Sequence, residues 1–269
     1  MRDFTLKSYR SLLTAFQKAG YQFQTFEEMM TTPAEGKTVV MRHDVDEKAF
    51  NALKMAQLEH ELGIRATYFF RIVKQSNVPE VIRGIAALGH EIGYHYEDLA
   101  LAEGDMEKAM ASFEKNLAYF REYYPVRSVC MHGSSTSKFD NRLLWETHKL
   151  SDFGLVGEPY LSVDFNKVFY LTDTGYAWDG GKFATRDIVT NSFGLQFHTT
   201  QQIVACIEAG RFPEKSLILA HTLWTDSLVQ WTMLHLREFF RNHVKLWATK
   251  NEGVAKVYKK IVGMYWKKV

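Results

Sequence analysis

The stretch Val39-Val40-Met41-Arg42-His43-Asp44-Val45-Asp46 decides how this chain is read. Its apolar half reads as a buried strand that ends abruptly in Arg42, His43, Asp44 and Asp46. A buried strand carries such charge only where its last residues leave the core. Side chains alternate across a strand, so Asp44 and Asp46 point the same way. Two such carboxylates repel unless a cation sits between them or one takes up a proton. That is the signature of a hard-metal or general-base site. A salt-bridged loop, with Arg42 and Lys48 neutralising the acids, is the other reading, and this stretch alone leaves both open.

Working outward, helical periodicity over residues 6–19 stops at Gly20, and the pattern over 47–62 stops at Gly63. Residues 66–73, centred on Thr67-Tyr68-Phe69-Phe70, read as a second strand. Residues 79–88 read as a helix closed by Gly89, 90–95 as a short strand, 106–123 as a long helix and 127–131 as another strand. After a looser, loop-rich region over 134–181, a helix is expected at 199–209, a strand at 216–221 and a long helix at 228–249. Strands alternating with helices through short connections predict a parallel sheet covered by helices, as a barrel or a doubly wound sheet. No repeat or linker divides the chain. It reads as a single domain over 1–269, with an N-terminal helical extension (1–36) and C-terminal helices (228–269) packed on the barrel.

Composition narrows the function. A chain of 269 residues has the usual length of an α/β barrel. Its net charge of +2 argues against nucleic acid as a partner. Its two cysteines, Cys130 and Cys206, provide no zinc-finger or disulfide framework. The start lacks an apolar signal core and no segment is long enough to span a membrane, so the expected location is cytoplasmic. Residues 254–269 mix lysines with aromatic and aliphatic residues. They read either as a helix packed on the body or as one lying on the inner face of an anionic membrane.

Polar residues gather at the strand ends: Asp44 and Asp46, Arg71, His95, His132 and His221. In barrels, chemistry collects at the C-terminal ends of the strands. Imidazole and carboxylate together suit zinc or another first-row divalent ion, which activates water and polarises a carbonyl. Taken singly, each histidine reads as a core or surface imidazole. There is no Gly-x-Ser-x-Gly elbow, no phosphate-binding Gly-x-x-x-x-Gly-Lys run and no Gly-x-Gly-x-x-Gly fingerprint. Asp179-Gly180-Gly181 reads as a turn.

The order of Arg42-His43-Asp44-Val45-Asp46, Ala66-Thr67-Tyr68-Phe69-Phe70, Gly89-His90-Glu91-Ile92-Gly93-Tyr94-His95 and Leu217-Ile218-Leu219-Ala220-His221 resembles the polysaccharide deacetylases of the NodB-homology (carbohydrate esterase) family. The resemblance spans roughly residues 37–231. It implies a distorted (β/α) barrel of about seven strands. It also implies a metal-dependent hydrolase, with a zinc-like divalent ion, that removes an acetyl or similar acyl group from an amino sugar or glycan precursor. In that family's pattern Asp44 is the catalytic base, Asp46 and His95 are metal ligands, and His221 is the general acid. His90 lies behind the site.

The family's second metal histidine falls here on Leu99, which cannot ligate. His132 is the expected replacement, with Glu97 and Asp98 as alternatives. The family's Arg-x-Pro-Tyr-type segment is here Ser128-Val129-Cys130-Met131-His132-Gly133-Ser134, so Arg42 or Arg71 is left to steady the base. Arg71, Asp173 and Trp178 are expected at the substrate. For Asp173 and Trp178 the alternatives are orienting His221 or forming a turn, and a buried core ring. A metal-free glycan-binding protein and a non-glycan amide hydrolase are the rival functions.

Overall fold

The computed structural model describes residues 2–133, 137–178, 189–190, 192–248 and 253. The expected turn at Asp179-Gly180-Gly181 and both readings of residues 254–269 lie outside the described residues. The sheet comprises β1 (Gln22–Gln24), β2 (Thr38–Val45), β3 (Thr67–Phe70), β4 (Glu91–Tyr96), β5 (Val129–Met131), β6 (Phe169–Thr172) and β7 (Lys215–Leu219). Its order is β5-β4-β3-β2-β7-β6, and every pairing is parallel. β1 lies against the first half of β2, and β3 takes over that side from Arg42 onward.

Helices separate the strands: α1 (Leu6–Lys18), α2 (Phe26–Thr31), α3 (Ala49–Glu61), α4 (Pro79–Ala87), α5 (Asp98–Leu101), α6 (Met106–Arg121), α7 (Pro159–Ser162), α8 (Thr200–Glu208) and α9 (Leu228–Ala248). This is the expected α/β architecture: a curled parallel sheet, a distorted (β/α) barrel of seven strands. The gap beyond β5 is lined by residues 156–158, where Gly157 bridges to Ser128 in parallel.

Two corrections follow. Residues 1–36 are not a purely helical extension, because β1 belongs to the sheet. The loop-rich region over 134–181 contains β6, whose Phe-Tyr-Leu-Thr is buried against β7.

Alternation along β2 sorts the core into two layers. Val39, Met41 and Val45 face the helices. Val40 faces the barrel interior with Phe69, Cys130, Tyr170, Leu217 and Leu219. Gly93 of β4 is required by close approach: a Cβ there would lie 2.3 Å from the Phe69 ring. The ring that occupies this space lies under the Arg42 guanidinium, 5.8 Å from its centroid. A small residue in one strand thus seats an aromatic in the next and, through it, the charge of a third.

Candidate metal centre

Register brings the polar strand ends together. β4 and β5 pair His95 with Cys130, and the His132 N–H donates to the Tyr96 carbonyl at 2.8 Å. His132 therefore stands beside His95, their rings 5.2 Å apart. Asp46 follows directly after β2. One ligand atom each from Asp46, His95 and His132 lies within 4.8 Å of the others.

The donor set fits a cation. The His95 Nδ1–H donates to the Cys130 carbonyl at 2.9 Å, which leaves the Nε2 lone pair facing Asp46 Oδ1 at 3.6 Å. The His132 Nδ1–H donates to Glu97 Oε2 at 3.0 Å, and its Nε2 faces the same Asp46 oxygen at 3.4 Å. That oxygen is buried and has no hydrogen-bond partner. Both separations are long for hydrogen bonds. Ligands held ~2.0–2.1 Å from one tetrahedral ion lie about 3.3–3.4 Å from each other.

Burial pushes His95 below its ordinary value, against the pull of Asp44 and Asp46, which keeps it neutral and able to ligate. Burial pushes Asp46 up, but His132, Arg71, His95 and His221 outweigh it and hold the carboxyl below its usual range. Asp44, His95 and Cys130 form a second cluster. Both Asp44 oxygens, however, are already taken by Arg42, at 2.9 Å from Nε and 2.6 Å from Nη2.

Two further groups have opposite protonation. Asp44 is buried, which would raise it, yet Arg42 and His95 hold it well below the carboxylate range, so it stays ionised. His221 is desolvated, which disfavours its charge. The Asp173 hydrogen bond and the carboxylates of Asp173, Asp46 and Asp44 prevail and raise it to about 10. Asp173 Oδ1 accepts from the His221 ring at 2.7 Å and from its backbone N–H at 2.9 Å, while Trp224 Nε1 donates to Oδ2 at 2.9 Å. These opposite shifts leave Asp44 a carboxylate and His221 an imidazolium near neutral pH.

Several expected residues stand elsewhere. Trp178 is 2% exposed, packs on Phe4 and Trp224 and donates to Thr200, so no ring face is open to a sugar and the core reading applies. Arg71 is also buried, and its guanidinium grips Glu97 at 2.6 and 2.8 Å. It holds the carboxylate behind His132 rather than lying open to substrate. Glu97 thus backs the His132 ring instead of replacing it as a ligand. Asp98 points away, accepting from Tyr94, Ser112 and Asn116. Asp173 orients His221 and, 2% exposed, has no hydroxyl of a substrate to meet. His90 lies behind the site, accepting from the Ala66 N–H and donating to the Ala56 carbonyl.

Two residues carried no signal in the sequence reading. The Tyr160 hydroxyl accepts from Arg42 at 3.2 Å, and its ring lies 4.9 Å from that guanidinium. Glu158, fully buried, accepts from the Met131 N–H at 3.0 Å and caps α7. Only the folded path of residues 156–160 along β5 brings either one to the site.

No protein-family model matches the chain, and no curated protein matches it. Solved structures do match. A family 4 carbohydrate esterase from Streptomyces lividans, in complex with acetate, is 14% identical over 77% of this chain and 90% of that one, with a TM-score of 0.41. The catalytic domain of a peptidoglycan N-acetylglucosamine deacetylase from Eubacterium rectale is 13% identical over 78% and 87%, at 0.46. A CE4 family pseudoenzyme from Bacillus anthracis is 12% identical over 76% and 62%, at 0.43.

Proposed function

We propose that the chain is a metal-dependent hydrolase that removes an acetyl or similar acyl group from an amino sugar or related glycan precursor. The observation that carries this is the buried Asp46 oxygen, which has no hydrogen-bond partner and lies 3.6 Å from His95 Nε2 and 3.4 Å from His132 Nε2. Asp46, His95 and His132 would hold a divalent ion, zinc by its donor set, and such an ion polarises an acyl oxygen and acidifies water.

The chain's own groups supply the rest. Asp44, kept ionised and oriented by Arg42, accepts the proton of the attacking water. His221, kept protonated by Asp173, donates to the leaving amine or alkoxide. Glu97 and Arg71 fix the His132 ring, and the Cys130 carbonyl fixes that of His95, so each presents Nε2.

The test is acetate release from a panel of N- and O-acetylated sugars by zinc-loaded protein. Asp44→Asn and His221→Gln should each lower the rate by ~10²–10⁴-fold. Asp173→Asn should move the alkaline limb of the rate profile to lower pH, because it removes the charge that holds the proton on His221. Zinc-loaded protein that hydrolyses only small cyclic amides would contradict the glycan assignment. Zinc-loaded protein inert toward the whole panel would contradict hydrolysis.

A further inference from the structure

The outer face of α9 is apolar and open. Val229, Met233, Leu236, Phe239, Phe240 and Trp247 are each more than half exposed. They share one side of a helix whose other side is anchored. Leu234, Glu238 and Asn242 are buried, Trp231 Nε1 donates to the Asp3 carbonyl and Asn242 to that of Gly175. From Val229 to Trp247 the open stripe runs about 27 Å. A row of large side chains of this length is not ordinary surface.

Charge says what covers it. Residues 228–269 carry nine Lys and Arg against two Glu, while the whole chain is only +2, so the preceding residues are net acidic. A second copy would add the same excess of positive charge rather than offset it. An anionic surface meets both features, since it takes the apolar side chains and neutralises the lysines. No helix among the described residues is long and apolar enough to cross a membrane, so this one would lie in the interface.

We propose that the exposed face of α9 docks on an anionic lipid bilayer. The helix is tied to the metal centre: Arg237 pairs with Glu47 at 2.8 Å, and Glu47 follows Asp46. The docking holds whether or not the chain is a hydrolase.

The full chain should sediment with vesicles of phosphatidylcholine and phosphatidylglycerol, not with phosphatidylcholine alone, and less in high salt. Leu236→Glu with Phe240→Glu should cut binding by at least about tenfold. The milder Leu236→Ala with Phe240→Ala should lower it without disturbing the fold, checked by far-UV circular dichroism. Replacing Lys256, Lys259 and Lys260 with Gln should cost about fivefold per charge. Equal binding to both vesicle types overturns the proposal, as does binding untouched by the glutamates. It is also overturned by a solution dimer that the glutamates dissociate and vesicles do not recruit.

Discussion

Two buried polar assemblies grow from neighbouring residues of β2, and they differ in whether they are complete. On the helix side, His43 reaches Glu59 at 2.8 Å and the Ala220 carbonyl at 2.8 Å. Glu59 also accepts from Tyr9 at 2.5 Å and Tyr68 at 2.6 Å. Every polar atom in that set has a partner, and the set ties β2 to α1, α3, β3 and the segment after β7. On the barrel side, Arg42 holds both Asp44 oxygens but leaves its own Nη1 without a hydrogen-bond partner, and Asp46 Oδ1 has none either, with His132 Nε2 at 3.4 Å, His95 Nε2 at 3.6 Å and Arg71 Nη1 at 3.8 Å. A closed buried network rigidifies and specifies a fold, whereas the incomplete one is where the proposed ion would sit. One strand alternation thus separates structural polarity from functional polarity by a single residue.

The largest effect should come from opening the closed side. Glu59→Ala removes the buried acceptor shared by His43, Tyr9 and Tyr68, and should cost ~3–5 kcal/mol in denaturant unfolding. A loss below about 1 kcal/mol would show that the network is not structural.

Glu158, beside the open side, gives a pH-dependent effect of similar size. Burial raises it from 4.5 to about 7, against the pull of its N–H donors and Arg42. Between those values the folded chain binds more protons than the unfolded one, so this group's contribution falls as pH rises from about 4.5 through 7. Glu158→Gln removes a penalty of about 3 kcal/mol above pH 7, and should flatten the decline in melting temperature on that side. An unchanged slope would contradict the buried acid.

A smaller effect lies behind His132. Glu97→Gln keeps the shape but loses the charge that pairs with buried Arg71; it should weaken zinc binding by ~10–100-fold and lower the unfolding free energy of the metal-free chain by ~1–3 kcal/mol. A change in stability with unaltered affinity would move Glu97 to the structural class.

Much of this division was legible in the chain. Alternation places Asp44 and Asp46 on one face whatever the fold, and the resemblance around Gly89–His95 marks the second ligand strand. The remainder depended on register and path. His132 joins His95 because β5 pairs with β4 at Cys130, a pairing that lies in no local pattern. Trp178 sits among turn residues and reads either as a ring at the substrate or as core; Phe4 and Trp224, from distant parts of the chain, cover it and decide for the core. β1 has three residues and β6 four, too few for periodicity to stand out. Glu97 read as a rival ligand because its grip by Arg71 is a tertiary contact.

A shared cation on Asp46, His95 and His132 is the proposal on which the roles of the other residues depend. Its most direct test is the zinc content of the purified chain and of Asp46→Ala after equilibration with zinc and removal of free metal. The expected result is stoichiometric zinc in the parent and none in the variant, with the variant as stable as the metal-free parent to within ~1 kcal/mol. A parent that stays metal-free, or a variant that keeps its zinc, would contradict it.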